Sequence, residues 1–470
     1  MMKIAYKRLI DLGLAVKETI HGSRKGIEDT AVSLLPQIAL LFANFVIAIL
    51  IARGLGPDGM GKYALILSVS GLATALSDLG IGQTAIRFAA RAAAIGDTEQ
   101  QHSVLRWAFR LRMILILLIT LLAFAVIPYI AANLWHAGTL ISLMRLSLMT
   151  SVFIAISSVP TIYFQSLKNF KMNTIVSIGQ TFILLLGVIL ITCLNKWSLE
   201  SLVIINLIVT AISSLIFLSI VPKTIIISKA DYQGSLSIIL KQFIRAPVQK
   251  LKVPKSLDNH NIDNFAFLMV VTSIIVALIM RSDVWLMGVF LDKHTIGVYS
   301  VASRFASPLA MGLAALNTAL WPRASALMAI KNARDLLKNT YRLCTMAAII
   351  SVGYSIFVPL FLPYVFGYGY ESGVLLAQLL CLRYSLAFLI APIGIIGYSF
   401  GFINSYWKMN IIQLIIVVLI NIIFLPRIGP ISSAIALIVN ELVGAVIIGI
   451  MTIRKLKSCN MDVQHAISTK

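Results

Sequence analysis

Six ionisable side chains lie within stretches of sequence that are otherwise strongly apolar, and they are the first candidates for chemistry. Three are acids and three are arginines: Asp78, Asp283, Glu441, Arg281, Arg304 and Arg383. An ionised side chain at the centre of a bilayer costs roughly 2.5–3.5 kcal/mol on insertion scales, so it faces water or an oppositely charged partner. These residues could therefore bind an anion, carry an ion or join neighbouring helices.

Their spacing predicts two ion pairs. Asp283 and Arg304 lie on consecutive apolar stretches at similar distances from the short turn between them, and Arg383 and Glu441 each lie near the middle of a stretch. We expect an Asp283–Arg304 contact and an Arg383–Glu441 contact. Arg281 is two residues from Asp283 and so points to a different side of its helix, which makes it the freer cation. Pairs that only hold helices together, without a role in transport, are the alternative interpretation.

The composition indicates the environment in which these residues act. Of 470 residues, 59% are hydrophobic and 12% are charged, and the mean hydropathy is +0.93. A soluble domain is about 45–50% apolar and about 25% charged. A soluble fold of this composition would expose large apolar patches, and a disordered chain is far less hydrophobic. The chain is therefore expected to cross a membrane many times.

Twelve stretches are long and apolar enough to span a bilayer, which takes about 20 residues. They are continuous runs, as helices require, rather than the alternating segments of a β-barrel. The predicted fold is an all-α polytopic membrane protein with twelve transmembrane helices in two six-helix bundles around a central cavity. The spans are 33–52, 63–85, 113–132, 146–166, 173–194, 201–221, 265–291, 298–320, 343–362, 373–395, 409–425 and 431–452.

Basic residues are distributed unevenly between the two sides of these spans. With the N-terminus inside, 30 of the 39 Lys and Arg residues fall in cytoplasmic segments, 6 fall outside and 3 fall within spans. This asymmetry predicts that both termini are cytoplasmic. It also accounts for the net charge of +21 without a nucleic-acid partner. Arg87 and Arg323 end spans two and eight at the cytoplasmic face, where they either suit an anionic substrate or simply anchor the helices.

The longest polar interruption divides the chain into two halves. Gly61-Lys62-Tyr63 opens span two and Gly297-Val298-Tyr299 opens span eight, 236 residues later. Because each half has six spans, the halves would be parallel copies that rock about a central cavity to give alternating access. The predicted segments are a cytoplasmic N-terminal segment (1–32), a first bundle (33–221), a cytoplasmic linker with a short interfacial helix (222–264), a second bundle (265–452) and a cytoplasmic tail (453–470).

Motifs for other kinds of chemistry are weak. Gly54–Gly59 matches the glycine spacing of a dinucleotide site, but that site needs a strand before it and a helix after it in an α/β unit, so a turn between spans is the better interpretation. The four cysteines and six histidines have no metal-ligand spacing. We expect neither an enzyme, nor a bound metal, nor a cofactor.

Two stretches resemble a known family. They are ARGLGPDGMGKYALILSVSGLATALSDLGIGQTAIR (52–87) and MRSDVWLMGVFLDKHTIGVYSVASRFASPLAMGLAALNTALWPRASAL (280–327), and both are similar to the polysaccharide-transporter family of Wzx-type flippases, within the multidrug/oligosaccharidyl-lipid/polysaccharide exporter superfamily. The resemblance implies a protein of the bacterial inner membrane that moves undecaprenyl-pyrophosphate-linked oligosaccharide, such as O-antigen units, by alternating access. It further implies coupling to a proton or sodium gradient, and polysaccharide polymerase and chain-length proteins as partners.

The resemblance also assigns roles to the ionisable residues. Arg281 and Arg304 are the nearest matches to the family's cavity arginines. The set implied to bind substrate is Arg281, Arg304, Arg87, Arg323 and Arg383, and the candidates for ion coupling are Asp78, Asp283 and Glu441.

Four other functions fit the sequence less well. A multidrug exporter of the same superfamily would need acidic chemistry for cationic drugs. A peptidoglycan-precursor flippase has two more helices. A polysaccharide polymerase would need a large outer loop, and a scaffold would not need six ionisable groups at depth.

Overall fold

The computed structural model describes residues 24–167, 169–225, 259–325, 330–399 and 403–468, and within these ranges the regular structure is helical. The interfacial helix predicted within 222–264 lies mostly outside the described residues. The α-helices are α1 (Arg24–Asp78), α2 (Ile81–Ala94), α3 (Thr98–Tyr129), α4 (Ile141–Ser166), α5 (Phe170–Cys193), α6 (Leu199–Ile220), α7 (Asn259–Phe290), α8 (Lys293–Ser325), α9 (Ile330–Ile356), α10 (Val358–Phe366), α11 (Val374–Ser399), α12 (Ile403–Ile428) and α13 (Ile431–Ser468).

These helices occupy the positions of the twelve predicted spans. In the described part, eight helices are long and apolar enough to cross a membrane, and α9 and α10, bent by 62°, meet the same criteria together as one broken span or a re-entrant loop. α1 counts once among the eight although it contains spans one and two, which meet at Gly56 (φ 66°, ψ 178°), a conformation that glycine adopts most readily. Spans five and eight correspond to α5 and α8.

Large apolar side chains cover the outside of the bundle. Their exposure would be unfavourable in water and is expected where helices face lipid. Examples are Leu121, Leu186, Ile208, Leu215, Ile349, Leu360, Ile415 and Val446.

The connection between spans two and three is helical, whereas the sequence predicted a loop there. α2 packs on α3. α3 begins at Thr98 because the Asp97 side chain caps its N-terminus, accepting a hydrogen bond from the Gln100 N–H (2.8 Å). Ile81, Ala85 and other residues of α2 form a small apolar core with the first turns of α3 and the end of α4. The basic residues assigned to this loop therefore lie on helices.

The two halves meet most extensively where α1 crosses α8. A Cβ atom on Gly61 would lie 1.7 Å from the carbonyl oxygen of Lys293, and one on Gly297 would lie 1.9 Å from that of Pro57. Pro57 and Lys293 are separated by the same 236 residues as the two glycines, so the contact is reciprocal, as at a two-fold axis. The internal repeat is thus present in the fold. We call the end of the molecule at which Pro57, Gly61, Lys293 and Gly297 meet the closed end.

Hydrogen bonds at the closed end connect the first half to the second. Arg53 donates to the main-chain carbonyls of Tyr364 (2.6 Å) and Val365 (2.8 Å). The Tyr370 hydroxyl donates to the carbonyl of Ala52 (2.8 Å). These hydrogen bonds hold the connection between spans nine and ten against span one.

A second set of hydrogen bonds joins a connection of the first half to helices of the second half. The Trp135 indole donates to the carbonyl of Trp285 (3.2 Å) and packs edge-on against that ring. The Lys293 ammonium donates to the carbonyl of Trp135 (2.6 Å). The connection between spans three and four is therefore fastened to the α7–α8 hairpin, and the halves are joined from both sides.

Candidate substrate and ion site

Arg281 lies between the two halves. It projects from α7 toward the second leg of α1, where a Cβ atom on Gly71 would lie 2.8 Å from its Cζ atom. The side chain is nevertheless exposed. No carboxylate of a described side chain lies within ion-pairing distance of it. Arg281 is thus an accessible cation at the interface, as its spacing from Asp283 predicted.

Asp283 does not pair with Arg304, so that prediction was wrong. Its carboxylate accepts from the Tyr299 hydroxyl (2.6 Å) and from the Val284 N–H (2.7 Å). The predicted start of span eight, at 298, was five residues too late, because α8 begins at Lys293. Tyr299 is therefore six residues into its helix and Asp283 seven residues from the end of α7, whereas Arg304 is about 7.5 Å deeper than Tyr299 at 1.5 Å per residue.

Arg304 instead interacts with a side chain of the first half. It is partly buried and interacts electrostatically with Tyr63 of α1, whose hydroxyl is hydrogen-bonded to Asn206 of α6. Among the described side chains, no carboxylate forms an ion pair with Arg304. Arg281 and Arg304 therefore both present positive charge toward the contact between the halves.

Arg383 and Glu441 form the other expected pair. Their side chains meet at 3.1 Å between α11 and α13 and are 13% and 23% exposed. The Arg383 guanidinium also lies over the Tyr384 ring, 5.1 Å from its centroid. This pair is electrically neutral and joins two helices of the second half.

Replacing Glu441 by glutamine is expected to destabilise the protein by about 3–5 kcal/mol, because the buried Arg383 charge loses its partner. Thermal unfolding of the detergent-solubilised protein measures the effect. The double variant Arg383→Met/Glu441→Leu carries neither charge and should unfold near the temperature of the parent protein. A single variant as stable as the parent would contradict this account of the pair.

Asp78 has a partner that sequence reasoning missed. It ends α1 and forms an ion pair with Arg112 of α3 (2.7 Å), a side chain that is only 10% exposed. Because predicted span three begins at residue 113, Arg112 falls in a cytoplasmic loop of the prediction. The cap at Asp97 was the signal that α3 starts fifteen residues earlier. Asp78 lies seventeen residues beyond Gly61, or about 25 Å along the helix, and so far from the closed end.

Arg87 and Arg323, two of the proposed substrate-binding arginines, lie on helices of the two halves. Arg87 lies on α2 and Arg323 lies two residues before the end of α8. Their side chains lie outside the described part of the structure.

Three charges of the α7–α8 hairpin have no counterpart in the first half. At the repeat offset of 236 residues, Tyr299 corresponds to Tyr63, which keeps the aromatic hydroxyl. Arg281, Asp283 and Arg304 correspond to Phe45, Ile47 and Ser68 respectively. The repeat thus preserves the helix crossing and the pair Arg87 and Arg323, whereas Arg281, Asp283 and Arg304 occur in the second half alone.

Comparison with known proteins places the chain in a family. A family described as "Polysaccharide biosynthesis protein" matches residues 27–328. The chain belongs to this family. No curated protein matches the sequence of this polysaccharide biosynthesis protein.

Three solved structures share the fold of this polysaccharide biosynthesis protein. The first, an inward-facing multidrug resistance MATE family transporter of the MOP superfamily, has a TM-score of 0.67 and 13% identity over 90% of this chain and 96% of that one. Lipid II flippase MurJ in an inward closed conformation has a TM-score of 0.65 and 14% identity over 89% and 86%. An outward-facing MATE family transporter has a TM-score of 0.60 and 15% identity over 90% and 93%. These similarities support the polytopic transporter fold.

Proposed function

We propose that this protein is a flippase that moves undecaprenyl-pyrophosphate-linked oligosaccharide units, of the O-antigen kind, across the bacterial inner membrane by alternating access. The observation that carries the proposal is Arg281, an accessible guanidinium held between the two halves without a carboxylate partner among the described side chains. Membership of the polysaccharide biosynthesis protein family supports the same substrate class.

The chemistry of the substrate suits this arrangement. A diphosphate and several sugars cannot cross hydrocarbon unaided, because each unpaired polar group is costly there. An arginine fork binds phosphate oxygens through two parallel charge-assisted hydrogen bonds. Arg281 provides such a fork, Arg304 adds positive charge nearby, and the polyprenyl tail remains in lipid. A cationic drug would meet repulsion from the same residues.

The geometry supports a conformation that opens toward the cytoplasm. Under the orientation predicted from the basic residues, the closed end faces the periplasm, and Arg87 and Arg323 belong to the cytoplasmic mouth. The higher TM-score to the inward-facing than to the outward-facing transporter agrees with this assignment. In the proposed cycle the head group enters from the cytoplasm, and the closed end then separates to release it.

Two further parts of the proposal come from the family resemblance. The cycle is driven by a proton or sodium gradient, with Asp78, Asp283 and Glu441 as candidate ion carriers. The flipped unit then passes to a polysaccharide polymerase and its chain-length protein.

Deletion of the gene in its host tests the proposed substrate. Surface polysaccharide should be lost, and lipid-linked units should accumulate in the inner leaflet, where a membrane-impermeant sugar-oxidising reagent cannot reach them. Expression of the parent protein from a plasmid should restore both properties. Unchanged polysaccharide together with increased sensitivity to cationic drugs would contradict the proposal and favour a multidrug exporter.

A further inference from the structure

Gly71 differs from the glycines of the closed end in what a side chain at its position would meet. A Cβ atom on Gly61 or Gly297 would meet a main-chain carbonyl oxygen. The three atoms nearest to a Cβ atom on Gly71 all belong to the Arg281 guanidinium, with Cζ at 2.8 Å, Nη2 at 2.8 Å and Nε at 3.2 Å. The lack of a side chain at Gly71 therefore leaves room for the tip of a side chain from the other half.

The same distances give the orientation of the guanidinium. Its carbon and three nitrogens lie in one plane, and its N–H groups point outward within that plane. A neighbour beside an N–H edge would lie closer to the nitrogens than to the central carbon. Cζ is instead as near to the Cβ position of Gly71 as the nearest nitrogen is. The face of the Arg281 guanidinium thus lies over Gly71, and its N–H edges run parallel to the surface of α1.

The two helices bring these residues to the same depth. Gly71 lies ten residues beyond Gly61 on α1, or about 15 Å along the helix. Arg281 lies nine residues before the end of α7, or about 14 Å. The turn between α7 and α8 lies beside Gly61, where Lys293 makes its close contact. The helices themselves therefore place the guanidinium against Gly71.

The internal repeat separates this contact from the shared helix crossing. At the offset of 236 residues, Gly71 corresponds to Ser307 and Arg281 corresponds to Phe45. Ser307 carries an exposed side chain, and Phe45 packs on the Phe366 ring, with 5.7 Å between the centroids. Of the two equivalent positions, only the one that faces an arginine is a glycine. The glycine is therefore tied to the guanidinium and not to the crossing that both halves share.

We infer that Gly71 is the positioning residue for the guanidinium that binds the anion. It supports the face of Arg281 so that the N–H edges are free to bind two anion oxygens at once. This inference rests on the proposed function, in which the anion is the diphosphate of the lipid-linked substrate. The glycine belongs to the first half and the arginine to the second. The anion site is therefore complete only when the two halves meet at this depth.

Calorimetric titration of the purified full-length protein with inorganic pyrophosphate tests the inference. Gly71→Ala should bind pyrophosphate about tenfold more weakly than the parent, because the displaced guanidinium loses a charge-assisted hydrogen bond. The variant should also restore less surface polysaccharide in the deletion strain. Its unfolding temperature should not decrease, since the new methyl group meets the flexible end of a side chain and alanine is the better helix former.

Two comparisons distinguish positioning of the arginine from packing of the helix. The ammonium of Arg281→Lys has no plane to be supported, so adding Gly71→Ala to that variant should cause little further loss of affinity. Gly179→Ala lies within α5 of the same half, and a Cβ atom there meets nothing within 4 Å. This control should bind pyrophosphate and transport as the parent does.

The possible failures have different meanings. Equal pyrophosphate affinity of parent and Gly71→Ala would overturn the inference while the anion site and the proposed function stand. A tenfold loss that persists in the Arg281→Lys background, or a lower unfolding temperature of Gly71→Ala, would assign Gly71 to helix packing and overturn the inference in the same way. Absence of pyrophosphate binding to the parent would overturn the anion site at Arg281, and with it both this inference and the proposed function.

Discussion

Replacing Gly61 by alanine is expected to force α1 and α8 apart and to abolish transport. The new Cβ atom would lie 1.7 Å from the Lys293 carbonyl oxygen, whereas ordinary van der Waals contact begins near 3.4 Å. The oxygen belongs to the main chain of one helix and the Cβ atom is bonded directly to the main chain of the other, so no side chain can move aside, and close-packed helices transmit the displacement. Gly297→Ala should act in the same way because its contact with Pro57 is reciprocal.

The measurement combines surface polysaccharide in the deletion strain with spin-label distances across the closed end. Both variants should restore little or no polysaccharide, and the distances should increase. Gly353→Ala is the matched control, because that glycine also lies within a helix and a Cβ atom there meets nothing within 4 Å. Normal export by Gly61→Ala with unchanged distances would show that the close crossing is not needed for the cycle.

Replacing Arg281 by alanine is expected to reduce transport by about tenfold or more, since hydrogen bonds to charged groups contribute about 1.5–3 kcal/mol. The side chain is exposed and unpaired among the described residues, so its removal should leave folding intact. Transport is measured as surface polysaccharide per unit of membrane-inserted protein. Arg281→Lys keeps the charge but not the fork and should fall between parent and alanine variant.

A second arginine provides the comparison for this result. Arg427 lies exposed near the end of α12, and Arg427→Ala should transport as the parent does. Full transport by a well-inserted Arg281→Ala protein would remove Arg281 from the proposed site.

The fold was predictable because hydrocarbon leaves few choices to a polytopic chain. A run of about 20 apolar residues must become a helix, and the helices occupy the positions of the predicted spans. α1 is helical through the Gly54–Gly61 region apart from the break at Gly56. This helix was not predictable, because a glycine- and proline-containing segment usually indicates a turn. The helical residues between predicted spans two and three were missed because apolarity locates the membrane and not the ends of helices that extend beyond it.

The same distinction explains which contacts of the site were predictable. Arg383 and Glu441 pair as expected because each lies near the middle of its span, where a small error in helix ends does not change its depth. Which side chain lies beside Asp283 depends on where α8 begins. Because α8 begins five residues earlier than predicted, Tyr299 rather than Arg304 lies at the depth of Asp283. The reach of Arg281 to Gly71 depended on how the halves are placed together, which no local pattern in the sequence encodes.

The confinement of Arg281 and Arg304 to the second half has a consequence for how voltage acts on this protein. A membrane potential exerts force on charge, worth about 2.3 kcal/mol for each elementary charge moved through 100 mV. Arg281 and Arg304 ride on one half, while Phe45 and Ser68 at the equivalent positions feel no such force. The electric field across the membrane therefore acts on these two positions in the second half and not on their equivalents in the first half.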